Sequence, residues 1–309
     1  MKYLFGPVNS RRLGMSLGVD LMPHKTCSMN CIYCECGRTT ALTATIGEYT
    51  PTGEVIDELD GFLSAGPRLD AITFSGSGEP TLHGGIGEII GHLKSSYPRY
   101  RIVVLTNGSL LWNPEVRRAL YRADTVVPSL DAVSEEVFRA VNRPAAGIDS
   151  SLFIRGLTNF GREYRGELII EIFIVPGVND GEQELALMRD LCLGINPRSV
   201  QLNTLDRPGT EPGVVPATRE NLERVRELLL PLSAEIIGGP GDRHFCGGGS
   251  GDMILSTLLR RPSTLDDLAS TLGLDREEIR KSLERLSAEG DVVADEGPRG
   301  VFYRLAQSL

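Results

Sequence analysis

The sequence predicts an α/β fold: a partial, six-stranded (β/α) barrel followed by a small module of helices and one β-hairpin. Three observations carry this reading. Apolar strand-like segments alternate with amphipathic helical ones about six times over residues 1–237, at spacings that demand parallel strands and right-handed crossovers. A polar or glycine-rich cluster follows nearly every strand segment, which is where β/α barrels gather their chemistry. Residues 238–251 are dominated by glycine and read as a flexible linker into a differently patterned C-terminal stretch, residues 252–309.

Residues 14–21 form the first strand and lead into Lys25-Thr26-Cys27-Ser28-Met29-Asn30-Cys31-Ile32-Tyr33-Cys34. Thr50-Pro51 opens a helix to about Leu63, because proline is tolerated in a helix's first turn. Residues 69–74 form a buried strand ending in Ser75-Gly76-Ser77-Gly78-Glu79-Pro80. A helix over 86–94 precedes strand 101–105 and its terminal Thr106-Asn107-Gly108. Asn113 and Ser134 cap the next two helices, and between them strand 125–130 ends at Asp131. Helix 152–160, strand 168–175, helix 185–193, strand 199–202 and helix 218–230 complete the barrel. Further on, Ile254, Leu255, Leu258 and Leu259 mark one helix, Ser263-Thr264-Leu265-Asp266 is a capping signature for a second, and Asp275 caps a third. Residues 291–294 and 301–305, joined by a Gly297-Pro298 turn, form the hairpin.

The chain's 309 residues suffice for a full core and more than one domain. No apolar run approaches the ~20 residues of a membrane-spanning helix. The N-terminal residues lack the apolar region and cleavage site of a secretory signal. The six cysteines therefore read as reduced, metal-binding or reactive thiols, and the chain as cytoplasmic with no membrane partner. A net charge of −9 and an isoelectric point near 5.1 disfavour a broad nucleic-acid footprint.

The C-x3-C-x2-C spacing lets one bend aim three thiolates at three corners of a cubane cluster. Iron–sulfur clusters normally take four Cys thiolates, so a triplet leaves one iron open to a small molecule. On spacing alone a zinc knuckle is an alternative, with Cys36 or His24 as the fourth ligand. A disulfide does not suit a chain with no sign of secretion.

The triplet, with Tyr33 before its third cysteine, resembles the signature of the radical S-adenosylmethionine (SAM) superfamily. Further segments look like a subgroup related to the tRNA wyosine-synthase enzymes. They are Phe5-Gly6-Pro7-Val8-Asn9-Ser10-Arg11-Arg12-Leu13-Gly14, Leu17-Gly18-Val19-Asp20, Gly37-Arg38-Thr39-Thr40, the Ser75-to-Thr81 turn, Leu105-Thr106-Asn107-Gly108-Ser109 and Val175-Pro176-Gly177-Val178-Asn179-Asp180. The resemblance covers residues 1–237 and implies a radical-SAM barrel. In it the catalytic, metal-binding Cys27, Cys31 and Cys34 hold a [4Fe-4S] cluster whose open iron takes the amino and carboxylate groups of SAM. It also implies that Gly76, Ser77, Gly78 and Glu79 hold the methionine part of SAM. Asn107, Ser129 and Asp131 would stand within reach of its carboxylate or ribose, and Tyr33 with the edges at Val175 and Asn203 would pack the adenine. Each of these polar groups has a local alternative, capping a turn or satisfying a backbone group.

The implied reaction is that of an oxidoreductase. An external one-electron donor, such as a flavodoxin or ferredoxin, reduces the cluster. SAM is then cleaved to methionine and a 5′-deoxyadenosyl radical, which takes hydrogen from a peptide, protein or small-molecule substrate. Alternatives are a tRNA-modifying enzyme, following the subgroup, and a non-enzymatic Fe-S-sensing regulator that binds DNA. The chain has no second cysteine triplet with which a wyosine synthase could hold an additional cluster. Arg11, Arg12, Arg38 and Arg143 are candidates for an anion site at the barrel mouth or, singly, for surface and structural salt bridges; Cys36 and Cys246 read as spectator thiols, and Cys192 as core.

Residues 252–309 resemble a winged helix-turn-helix. They carry 8 basic and 11 acidic side chains, and the third helix alternates Arg276, Arg280, Lys281 and Arg285 with Glu277, Glu278 and Glu284. Such a face suits solvent or a protein better than a row of phosphates. The expectation is a recognition module that the linker delivers to the barrel mouth, with Phe302 or Tyr303 as an exposed aromatic anchor or both as core.

Overall fold

The computed structural model describes residues 1–10, 12–237, 254–255, 257–258, 261–272 and 274–306. Arg11, the linker, Cys246, Leu259 and Arg260 lie outside the described residues.

The chain opens with β1 (Leu4–Ser10), antiparallel to β2 (Gly14–Val19). A short parallel pair, β3 (Thr26–Cys27) and β4 (Ala41–Leu42), brackets the cysteine loop. Then helix and strand alternate: α1 (Thr52–Leu63), β5 (Ala71–Phe74), α2 (Ile86–Ser96), β6 (Arg101–Thr106), α3 (Pro114–Leu120) and β7 (Thr125–Pro128). Next come α4 (Glu135–Val141), α5 (Ser150–Glu163), β8 (Glu167–Phe173), α6 (Glu182–Ile195), β9 (Ser199–Asn203), α7 (Arg219–Leu228) and β10 (Ala234–Ile236). One sheet runs β1-β2-β5-β6-β7-β8-β9-β10, parallel throughout except for β1. This is the expected partial barrel with an edge strand added at each end. β1 escaped the periodicity because Gly6-Pro7 breaks its register between Phe5 and Val8. β10 is only three residues long.

Caps fall where the sequence put them. The Asn113 side chain accepts from Glu115 N at 2.8 Å and the Ser134 hydroxyl from Val137 N at 3.4 Å. Strand alternation divides the interior into two layers. Ile72, Val104, Val126, Ile170 and Leu202 belong to the main core beneath the helices. Ala71, Val103, Val127 and Ile169 form a separate cluster inside the barrel.

The C-terminal unit comprises β11 (Ser263–Thr264), α8 (Leu265–Leu272), α9 (Arg276–Ala288), β12 (Val292–Gly297) and β13 (Gly300–Leu305), with sheet order β11-β13-β12. It has its own core, in which Ile254 and Leu258 meet Leu268, Ile279, Leu283 and Val292. Thr264 and Asp267 form a reciprocal capping box: Asp267 N donates to the Thr264 hydroxyl at 3.1 Å and Thr264 N to the Asp267 carboxylate at 3.2 Å.

This unit sits on the barrel, which corrects the picture of a module delivered by its linker. α8 packs against β1. Arg299, at the hairpin turn, reaches Asp206 Oδ1 at 2.6 Å and Asp267 Oδ2 at 2.9 Å. Arg207 meets Asp267 Oδ2 at 3.5 Å and Glu35 Oε2 at 3.3 Å. Neither aromatic is an exposed anchor. Phe302 is buried with the Arg299 guanidinium 5.2 Å above its ring, and Tyr303 is half-buried against the unit's core. On α9, Arg280 pairs with Glu277 and Glu284, Arg285 with Glu289, and Arg276 with Asp266. Among the described residues no helix is long and apolar enough to cross a membrane.

Asp267 is 1% exposed, so removing its partner leaves a buried carboxylate short of cations. Arg299→Ala should therefore destabilise the full chain by about 3 kcal/mol, whereas Arg280→Ala, losing only exposed, solvent-screened pairs, should leave stability close to wild type. Urea unfolding of both variants checks the difference.

Candidate active site

The cysteine loop lies over the C-terminal ends of the barrel strands and is fastened along its length. Ala41 N donates to the Lys25 carbonyl at 3.1 Å and Thr43 N to the Cys27 carbonyl at 3.0 Å. The middle of the loop runs beside the segment after α4: Ile32 N donates to the Val141 carbonyl at 3.0 Å and Ala145 N to the Ser28 carbonyl at 2.9 Å. Beyond β9, Thr210 Oγ1 donates to the Cys34 carbonyl at 2.9 Å.

Each of the three thiols receives an N–H. Asn107 Nδ2 stands 3.5 Å from Cys27 Sγ, Asn142 Nδ2 3.5 Å from Cys31 Sγ, and Lys25 Nζ 3.1 Å from Cys34 Sγ. Burial pushes the Cys27 thiol up to about 12 and the Cys31 thiol well above its ordinary range. Cys34 goes the other way, because the Cys36 thiol donates to it and the Lys25 ammonium lies beside it. Burial and the neighbouring Cys34 raise the Cys36 thiol, whose Sγ stands 3.8 Å from the Gly76 carbonyl.

Two buried carboxylates organise the loop from beneath. Glu79 is 2% exposed; its Oε1 accepts from Thr81 N (3.0 Å), Thr81 Oγ1 (2.5 Å) and Thr106 Oγ1 (2.6 Å), and its Oε2 from Asn107 N (2.7 Å). Asp131, equally buried, accepts from the Tyr33 hydroxyl, from Asn142 Nδ2 at 2.8 Å and from Phe173 N at 2.9 Å. Burial raises both acids, Asp131 to about 6. These bonds give each residue a partner within the protein. Glu79 caps the turn at Pro80 and holds Asn107, Asn107 holds Cys27 and Ser28, and Asp131 positions Tyr33 and Asn142.

The glycines of the same turn meet protein. Gly76 has φ +154, and a Cβ there would fall 2.2 Å from Asp20 Cγ. A Cβ on Gly78 would lie 2.2 Å from the Thr26 carbonyl oxygen, so this glycine lets the turn close on the cysteine loop. Ser77 donates its N–H and hydroxyl to Asp20 Oδ2 at 3.3 and 3.2 Å.

The remaining candidates surround the loop. Tyr33 stacks on Phe173 with centroids 3.9 Å apart and planes at 9°. Val175 is buried beside Ile32, Phe173 and Leu205. Ser129 is half-buried and its hydroxyl has no partner among the described residues. Asn203 Nδ2 donates to Glu171 Oε1 at 3.1 Å. Among the described residues the candidate arginines are apart: Arg12 enters the barrel to pair with Glu171, Arg143 pairs with Glu211 at 2.5 Å, and Arg38 is exposed. Cys192 is buried in the core.

Sequence reasoning missed Asn142, Lys25 and Glu171. Glu171 left a signal, since Glu167 and Glu171 alternate with Leu168, Ile170 and Ile172 and so share the inner face of β8. Asn142 left none: one asparagine after a helix reads as a cap.

The family model of the radical SAM superfamily matches residues 21–188. The chain belongs to this superfamily. It is an enzyme of the radical SAM class, whose cofactors are a [4Fe-4S] cluster and SAM. It is 37% identical over 209 residues to a UPF0026 protein of Helicobacter pylori, covering 67% of each chain. It is 34% identical over 295 residues to a protein named GTPase Obg of Brachyspira hyodysenteriae, covering 94% of this chain but only 43% of that one. A radical SAM methyltransferase from Sphaerobacter thermophilus shares the fold at TM-score 0.56 and 19% identity, over 73% of this chain and 67% of that one. The donor set suits the radical SAM cofactor: three thiols on one fastened loop, each with an N–H on its sulfur.

Asp131→Ala removes the acceptor of three buried donors and should destabilise the chain by about 3 kcal/mol. Ser129→Ala should change stability by about 0.5 kcal/mol or less. Denaturant titration of the two side by side checks both values.

Proposed function

We propose that this chain cleaves SAM reductively and uses the resulting 5′-deoxyadenosyl radical to modify a small-molecule, peptide or protein substrate. The observation that carries the proposal is the N–H donor on each thiol of the C-x3-C-x2-C loop. Cys27, Cys31 and Cys34 hold the cluster, and Asn107, Asn142 and Lys25 stabilise negative charge on their sulfurs. The Ser75-to-Pro80 turn supplies carbonyl groups toward SAM's methionine part, shaped by Gly76, Ser77, Gly78 and Glu79. Tyr33 and Val175 offer apolar surface for the adenine, with Ser129 and Asn203 at its polar edge. When bound, the cluster supplies the single electron that breaks SAM's sulfur–carbon bond, delivered to it by a flavodoxin- or ferredoxin-like protein. The apolar wall of Ile32, Phe173, Val175 and Leu205 keeps water from the reacting centre.

The C-terminal unit is a winged helix-turn-helix in this reading, and the protein works in the cytoplasm. The ion pairs along α9 argue against its insertion into a DNA groove and so against the regulator reading. The tRNA alternative rests on the subgroup resemblance of residues 1–237.

After anaerobic reconstitution, wild-type protein with dithionite and SAM should release 5′-deoxyadenosine. Cys31→Ala should lose iron and sulfide, while Cys36→Ala should keep both. A fully loaded Cys31→Ala protein would sink the ligand assignment. Asn142→Ala should lower the cluster's midpoint potential, because hydrogen bonds to sulfur stabilise the reduced state. A redox titration followed by electron paramagnetic resonance reads that shift directly.

A further inference from the structure

The barrel does not close its own lumen. A cavity of about 330 Å³ opens inside β1, β2 and β5 and reaches Cys36, Gly76 and Asn203 at the loop end. Its remaining wall comes from the C-terminal unit, through Thr257, Arg261, Ser270 and Thr271. The buried ion cluster of Arg207, Arg299, Asp206 and Asp267 holds that wall in place. The cavity lies at the small end of the range for ligand sites, roughly 300–1,000 Å³.

The wall chemistry narrows the occupant. Three guanidinium groups, from Arg12, Arg207 and Arg261, line the cavity against a single carboxylate, Glu35, in a chain whose net charge is −9. Seven serine and threonine hydroxyls complete the polar lining. Part of the cationic capacity is engaged: Arg12 gives Nη1 to Glu171 and to Gln201 Oε1 (3.3 Å), and Arg207 pairs with Glu35 and Asp267. A guanidinium has five N–H donors, however. Arg12 Nε and Nη2 have no acceptor among the described residues. The Nε–H of Arg207 is buried without one. Leaving a buried donor unpaired is unfavourable, and an oxyanion is the acceptor that best matches guanidinium geometry.

We propose that the C-terminal unit completes the substrate chamber, and that the chamber takes a small hydroxylated metabolite bearing a carboxylate or phosphate, gripped by Arg12, Arg207 and Arg261. This deepens the SAM-cleaving reading of the adjacent loop and rests on it. The C-terminal unit then determines substrate specificity from inside the chamber, as part of its wall.

The test is calorimetric titration of the reconstituted full chain with malonate and, separately, with orthophosphate, each against sodium chloride at matched ionic strength. One of the two should bind saturably, and which one identifies the oxyanion. Arg261→Gln should weaken that binding about tenfold or more, the loss of one charge-assisted hydrogen bond. Ser270→Trp, which fills the chamber from its C-terminal wall, should weaken it at least as much. Both variants are compared with wild type by melting temperature, and Thr271→Trp replaces Ser270→Trp if the latter does not fold. Failure of wild type to bind either anion saturably overturns the proposal, as does wild-type affinity in folded Arg261→Gln and tryptophan variants. Release of 5′-deoxyadenosine is measured separately without either probe. A chain that binds the anion but cannot cleave SAM would refute the parent reading and leave the chamber standing.

Discussion

The whole site depends on two carboxylates being held away from water. Glu79 and Asp131 sit beneath the cysteine loop, each fully paired inside the protein and each raised above its ordinary pKa by burial. Burial prevails over four donors at Glu79 and three at Asp131. Each acid in turn governs an asparagine whose amide points at a cysteine sulfur: Asn107 at Cys27 and Asn142 at Cys31. A hydrogen bond to a charged group contributes about 1.5–3 kcal/mol, and a buried acceptor left unpaired costs about as much. The network is therefore stable only when complete, which places the sulfurs before any cofactor arrives.

A similar economy operates at the C-terminal unit. Asp267 caps α8, receives Arg299 from the hairpin and meets Arg207 from the barrel. Arg207 continues to Glu35, the residue after Cys34. One buried aspartate thus ties the local structure of the unit to its position and, through Arg207, to the end of the cysteine loop. The resulting cluster is acidic by one charge, with Glu35, Asp206 and Asp267 against Arg207 and Arg299.

Much of this was legible in the sequence because it is local. Cysteine spacing, the Asn113 and Ser134 caps, the Asp275 cap and the strand–helix alternation each involve residues within a few positions of one another. What was not legible is long-range. Glu79 reads as an available acid in a glycine-rich turn, and only the arrival of Thr106 and Asn107, 27 and 28 residues later, engages it. Gly76 and Gly78 look like room for a ligand until Asp20 and Thr26 are seen in that space. The ion cluster joins residues up to 171 and 172 positions apart, beyond any periodic pattern. The C-terminal unit misled for the opposite reason: the glycine run beside it suggested freedom of movement that the hairpin's seat on the barrel does not display.

One consequence follows from β1. Among the described residues it is an edge strand, hydrogen-bonded in the sheet only to β2, and α8 packs against it. Bare edges present unpaired N–H and C=O groups to any other extended chain and are a common route to aggregation. A shortened protein lacking the C-terminal unit would uncover this strand and be prone to precipitate. Poor solubility of such a fragment would reflect the loss of a protective cover and say nothing about whether the remaining barrel can do chemistry.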